Sequence, residues 1–210
     1  MAKITDIEIQ KRHKDRVNIY LDGEFFRGMD ALTVAQNRIK IGDEVSETEL
    51  VDLIFQSDIR SAFDKALKQI EYRTRAKNEI VLYLQGKGYD NKVIYEVIEK
   101  LIEYGYVNDE FFCREYVRSY QNSYGKIKIK ADGKILGIDD EIIENAIDSI
   151  ESQAENAYLL GVKYIKNKKE KSALKVKSYL ARHGYTYDDI ALAVEQMTDE
   201  GLFSGEEDYE

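Results

Sequence analysis

The stretch RTRAKNEIVLYLQGKGYDNKVIYEVIEKLI, residues 73–102, decides the fold. Ile80, Val81 and Leu84 are spaced for one helix, and Gly86 and Gly88 interrupt it. Ile94, Val97, Ile98 and Leu101 then recur at i, i+3, i+4 and i+7, which places them on one side of a second helix. Gly105 is a natural stop, because glycine takes the positive φ of a helix C-cap at little cost. The same unit recurs as KEKSALKVKSYLARHGYTYDDIALAVEQMT, residues 169–198, offset by 96 positions. A weaker copy, SYGKIKIKADGKILGIDDEIIENAIDSIE, residues 123–151, is offset by 49. Gly88-Tyr89, Gly137-Ile138 and Gly184-Tyr185 fall at matching places. Tandem helical units leave apolar edges for their neighbours to cover, and such arrays present long surfaces to large partners.

On the N-terminal side the period changes. Ile4, Ile7 and Ile9 alternate, as do Val17, Ile19 and Leu21, and Asp22-Gly23 suits a tight turn between strands. Residues 3–28 read as a small antiparallel sheet, followed by a short helix from Asp30 to Ile39 and, after Gly42-Asp43, another near Glu47–Phe55. A helical period resumes at Ile59 with Phe63, Ala66, Leu67 and Ile70. On the C-terminal side, Phe112, Tyr116, Val117 and Tyr120 open the second unit, 125–136 and 139–150 complete it, and Asp139 or Asp140 suits a helix cap. The third unit runs through 157–165, 172–181 and 187–197. Gly133 stands where the other copies have Leu84 and Leu180, so the middle helix is either locally weak or closely packed. The expected fold is mainly α: tandem three-helix repeats forming an elongated curved array, with a small N-terminal β-hairpin or sheet and helix. The expected regions are 1–58 for strands and helix, 59–107, 108–150 and 151–200 for three repeats, and 201–210 for an acidic tail.

Composition narrows the function. The 210 residues are 43% hydrophobic and carry 16 tyrosines and seven phenylalanines but no tryptophan or proline, so a core is affordable and amphipathic contacts abound. No apolar stretch is long enough for a membrane span, and the N-terminus lacks a signal-peptide core, which points to a cytoplasmic protein without membrane contact. Cys113 is the sole cysteine, so there is no internal disulfide framework, and its place in a helix suggests burial or a benign surface position rather than nucleophilic catalysis. His13 and His183 sit among charged residues with no metal-ligand spacing and read as solvent-facing. No phosphate-binding glycine loop is present, and Gly86-Lys87-Gly88 reads as a turn between helices. No catalytic residue, metal site or cofactor is assigned.

The cations are distributed unevenly. Net charge is −9, yet residues 161–185 hold eight Lys or Arg against one acid, and 186–210 hold nine acids and no Lys or Arg. A local basic face attracts polyanions even when the average is negative, while two solvated faces that partly neutralise each other are the plain alternative. Lys126, Lys130 and Lys134 recur every four residues; Lys171, Lys175 and Arg182 hold a similar phase in the third unit; Arg73, Arg75 and Lys77 decorate the opening of the first. If the units stack in register, these stripes line one side and draw phosphates or an acidic protein surface. Each also fits ordinary solvation.

Residues 60–118 resemble the RecX family of bacterial recombination regulators. The resemblance rests on Tyr72-Arg73-Thr74-Arg75, on Gly88-Tyr89, on Gly105-Tyr106-Val107-Asn108-Asp109-Glu110-Phe111-Phe112, and on Tyr116-Val117-Arg118. It extends over roughly 60–200, with N-terminal strands like those of longer family members. The resemblance implies a noncatalytic protein that binds in the groove of a RecA nucleoprotein filament, contacts RecA protomers close to the single- or double-stranded DNA they enclose, and limits filament growth and strand exchange. A monomer with at most weak direct DNA contact is expected. Arg73, Arg75, Lys77, Tyr106, Arg114 and Arg118 are the partner-contact candidates in the recognisable region, and Lys126, Lys130, Lys171 and Lys175 are those from charge geometry. A DNA-binding repeat protein acting without RecA is the runner-up; a magnesium-dependent nucleic-acid enzyme is the third reading.

Overall fold

Alternating apolar residues at the N-terminus pair as antiparallel strands. In the computed structural model, which describes residues 1–150, 152–169 and 172–203, β1 (Ala2–Ile9), β2 (Arg16–Leu21), β3 (Glu24–Asp30) and the short β4 (Glu44–Val45) form one sheet of order β3-β2-β1-β4. Asp22 and Gly23 take φ of 48° and 90°, the positive values a two-residue hairpin turn requires. A bulge between Ile4 and Asp6 resets the alternation, so Ile4 and Ile7 both pack toward the core while Ile9 lies exposed beyond it. The buried face holds Ala2, Ile4, Val17, Ile19, Leu21 and Met29, closed by Leu50 and Ile54. Asp30 caps α1 (Ala31–Gln36) through the amides of Leu32 and Thr33.

The largest departure from the sequence reading is α2 (Glu47–Tyr72), one continuous helix of 26 residues. The segment near Glu47–Phe55 and the period beginning at Ile59 belong to the same rod, and the expected 58/59 boundary falls inside it. No glycine or proline breaks it. The apolar period lapses because buried Ser57 and Asp58 occupy the inward face midway. The N-terminal half of α2 covers the sheet; Ile59, Ala62 and Ala66 pack with α3 (Lys77–Gly86) and α4 (Asn91–Glu103) around Ile80, Leu84, Val93, Val97 and Leu101.

Three helices recur twice more: α5 (Asp109–Tyr120), α6 (Lys126–Ile135) and α7 (Asp140–Asp148), then α8 (Ala154–Lys168), α9 (Ala173–Arg182) and α10 (Tyr187–Asp199). The matched glycines Gly88, Gly137 and Gly184 have φ of 83°, 71° and 81°, and Tyr89, Ile138 and Tyr185 behind them are buried. Asp90, Asp139 and Thr186 then cap the next helix of each repeat. At Gly133 a Cβ would come within 2.8 Å of Ile143 Cδ1, so the missing side chain permits close packing of α6 on α7. The chain divides into two compact units, Met1–Val107 and Asn108–Glu210. The first contains the sheet and the first repeat; the second contains repeats two and three.

Candidate interaction surface

Helix ends and ion pairs determine which cations remain available to a partner. Arg73, the residue after α2, reaches Glu79 with both terminal guanidinium nitrogens, at 2.5 and 3.2 Å. Arg75 donates to the same carboxylate at 3.2 Å, and Glu79 also accepts the Ala76 N–H at 3.1 Å. Glu79 thus caps α3 while binding two arginines. Burial raises its pKa, but Arg73, the Ala76 amide and Arg75 outweigh that and hold it below the ordinary glutamate value. Lys77, in the first turn of α3, is exposed.

Tyr106 is half exposed and meets Phe63 and Tyr104 edge-on, each at 6.4 Å between centroids, and Phe63 and Tyr104 are 6.1 Å apart. Arg114 and Arg118 are exposed on α5 beside Glu110 and Glu115, at 3.7 and 3.9 Å, distances at which exposed pairs contribute little.

The Lys126–Lys134 stripe is mostly committed inside its own repeat. Lys130 pairs with Glu144, and Lys134 with Asp140 at 3.0 Å, both acids of α7; Lys128 pairs with Asp132. Lys126 is half buried, and its backbone N–H donates to Gln153 Oε1 at 2.9 Å.

Repeat three differs. Lys163, Lys166 and Lys168 on α8, Lys169 after it, and Lys177 and Arg182 on α9 are exposed, and none is ion-paired among the described residues. Lys175 is exposed on α9, and its amide donates to the Ser172 hydroxyl at 3.4 Å. Lys171 lies outside the described residues, as does the tail beyond Phe203. The α10 acids do not pair with these six cations, and Asp189 is instead buried in hydrogen bonds. Within a chain of net charge −9, repeat three therefore carries these six exposed cations without an ion pair among the described residues.

Several groups depart from the sequence-based expectation. His183 is not solvent-facing: it is half buried between Tyr124 and Tyr179, and its Nδ1 lies 2.9 Å from the Tyr179 carbonyl. His13 is likewise half buried, close to Gly88. Cys113 is buried, and desolvation raises its thiol pKa, the opposite of nucleophile activation. Lys177 and the Glu79 hub lie outside the sequence-based candidates, although a Glu three residues after a helix start is one half of the capping-box signal. Among the described residues no group of three or more His, Cys, Asp or Glu is placed to hold a metal ion, and no helix is long and apolar enough to cross a membrane.

Comparison with known proteins places this architecture. The RecX N-terminal domain matches residues 2–46, the RecX first three-helix domain 62–101, and the RecX second three-helix domain 108–147. Regulatory protein RecX of Bacillus pumilus is 32% identical over 207 residues, covering 95% of this chain and 79% of that protein. Regulatory protein RecX of Clostridium botulinum is 31% identical over 204 residues, covering 93% and 96%. A crystal structure of regulatory protein RecX matches with a TM-score of 0.64 at 26% identity, over 95% of this chain and all of that one. The crystal structure of RecX from Lactobacillus salivarius gives 0.62 at 28% identity, over 67% and 97%. Sheet, helix triplets and sequence agree, and this chain belongs to the RecX family of regulatory proteins.

Proposed function

We propose that this chain is a noncatalytic modulator of RecA nucleoprotein filaments, binding in the filament groove and inhibiting extension and recombinase activity. The observation that carries the reading is the set of exposed cations of repeat three, Lys163, Lys166, Lys168, Lys169, Lys177 and Arg182, without an ion pair among the described residues of an otherwise acidic protein. Such a face is drawn to phosphates or to acidic protein surface, and its attraction is strongest where charge is dense, as along a DNA-bearing filament. Lys171 and Lys175 belong to the same basic segment. Exposed aromatic edges such as Tyr106 suit contact with protein, since tyrosine supplies large amphipathic area with few rotors. Arg114 and Arg118 hold weak intrahelical pairs that a partner's carboxylates can displace. Arg73, Arg75, Lys130 and Lys134 contribute mainly by holding their own repeats together.

Filament assembly with a titration of this protein tests the reading. Extension, ATP turnover and strand exchange should fall at protein levels well below the DNA site concentration. No effect across a broad titration rejects inhibition. Equal binding to bare DNA and to preformed RecA–DNA filaments instead favours a DNA-binding repeat protein acting without RecA.

A further inference from the structure

The second helix of each repeat begins at an equivalent position: Ala76, Gly125 and Ser172. Two of these ends are capped from within their own repeat. The Ala76 N–H donates to Glu79 at 3.1 Å, and the Ser172 hydroxyl accepts the Lys175 N–H at 3.4 Å. The middle end is capped from outside. Lys126 N–H donates to Gln153 Oε1 at 2.9 Å, Ile127 N–H to the Gly184 carbonyl at 3.0 Å, and Gly125 N–H to the His183 carbonyl at 2.9 Å. Gln153 precedes α8, and His183-Gly184 form the α9–α10 turn, so all three acceptors lie beyond repeat two.

Gln153 is only 1% exposed and both ends of its amide are used. Its Nε2 donates to the carbonyls of Gln121 at 2.7 Å and Tyr124 at 3.1 Å. Its backbone N–H donates to buried Asp189 at 2.9 Å, which also accepts the hydroxyls of Ser152 and Thr186. Neither glycine tolerates a side chain: a Cβ on Gly125 would overlap the Gly184 carbonyl, and one on Gly184 would overlap the Lys128 amide. Tyr124 stacks on His183 across the same seam, with planes 14° apart.

We infer that repeats two and three form a single cooperative element, locked by the Gly125–Gly184 backbone seam and the Gln153 hub. The positive face of repeat three is therefore carried rigidly by repeat two. A fully satisfied buried polar network specifies one arrangement, and removing a member leaves the others without partners. The seam joins the α5–α6 turn, the start of α6 and the α9–α10 turn, so these segments open together.

Hydrogen exchange read by mass spectrometry on the full chain tests this without any partner, so it stands or falls separately from the filament reading. Amides at 125–128 should exchange as slowly as the interiors of α6 and α9. In Gln153→Ala and in Gly184→Ala, protection should fall by about tenfold or more on both sides of the seam, at 121–128 and at 183–189. The amides of α3 and α4 should not change. Loop-rate exchange at 125–128 in the unaltered protein overturns the inference, as does a loss confined to the side that carries the substitution. If Gly184→Ala does not fold, the unaltered protein and Gln153→Ala still decide.

Discussion

Replacing Asp58 with alanine removes the carboxylate that holds Arg16 inside the first unit. Arg16 and Asp58 are 7% and 6% exposed, and the guanidinium meets both carboxylate oxygens, at 2.8 and 3.2 Å. Without Asp58 the guanidinium keeps a long contact to the Gly28 carbonyl, at 3.4 Å, and the face of Tyr89, 5.1 Å away. Arginine does not escape by losing its proton. Stranding one partner of a buried pair costs about 3–5 kcal/mol, and the Gly28 and Tyr89 contacts that Arg16 retains put this case at the low end of that range. The expected loss is therefore about 3 kcal/mol. Arg16→Met should cost less, because a stranded carboxylic acid can protonate, and burial already pushes the Asp58 pKa above the ordinary value. Replacing both, with Arg16→Met and Asp58→Leu, should recover most of the loss. Urea denaturation of the full chain, followed by circular dichroism, measures all three. An Asp58→Ala cost below about 1 kcal/mol, or a double variant no better than Asp58→Ala, refutes the argument.

Two more outcomes follow from groups inside the repeats. Glu79→Gln should destabilise the first repeat by about 1–2 kcal/mol at neutral pH, the range for lost charge-assisted hydrogen bonds. Because the folded Glu79 pKa lies below its unfolded value of 4.5, its contribution is complete above that value and is lost as pH falls through the folded one; the stability gap between Glu79→Gln and the unaltered protein should narrow there in acid denaturation series. The Tyr185 hydroxyl is buried with no hydrogen-bond partner among the described residues, and burial pushes its pKa up to about 12. Tyr185→Phe should leave stability unchanged or raise it by up to about 1 kcal/mol, and a calorimetric loss larger than that contradicts the absence of a partner.

What the sequence made legible was local. Turn glycines followed by a capping residue, and apolar side chains at helical spacing, are written within a few positions of one another, so the eight helices from α3 to α10 could be read directly. α2 is broken in the sequence reading because Ser57 and Asp58 look like surface residues; inside the fold Asp58 pairs with Arg16, 42 positions away, and the Ser57 hydroxyl bonds to that of Thr33, 24 positions away. The same distance problem governed the cations. Lys126, Lys130 and Lys134 share a phase in the sequence, but whether a lysine is available depends on acids of another helix, Glu144 and Asp140. Only the charge imbalance of 161–185 carried through, because few acids were near in sequence and, among the described residues, none pairs with Lys163, Lys166, Lys168, Lys169, Lys177 or Arg182. Gln153 gave no signal at all: a single glutamine between helices is indistinguishable from linker until its partners, at Gln121, Tyr124 and Lys126, are brought to it.

The central claim, that the exposed cations Lys163, Lys166, Lys168, Lys169, Lys177 and Arg182 of repeat three engage a polyanionic filament, is tested most directly by the salt dependence of binding to preformed RecA–DNA filaments. The triple reversal Lys163→Glu, Lys166→Glu and Lys177→Glu should weaken binding at least about tenfold and flatten the slope of log affinity against log salt, whereas Lys130→Glu with Lys134→Glu should leave that slope unchanged. Equal affinity and equal slope for the triple variant and the unaltered protein, with folding preserved, contradict it.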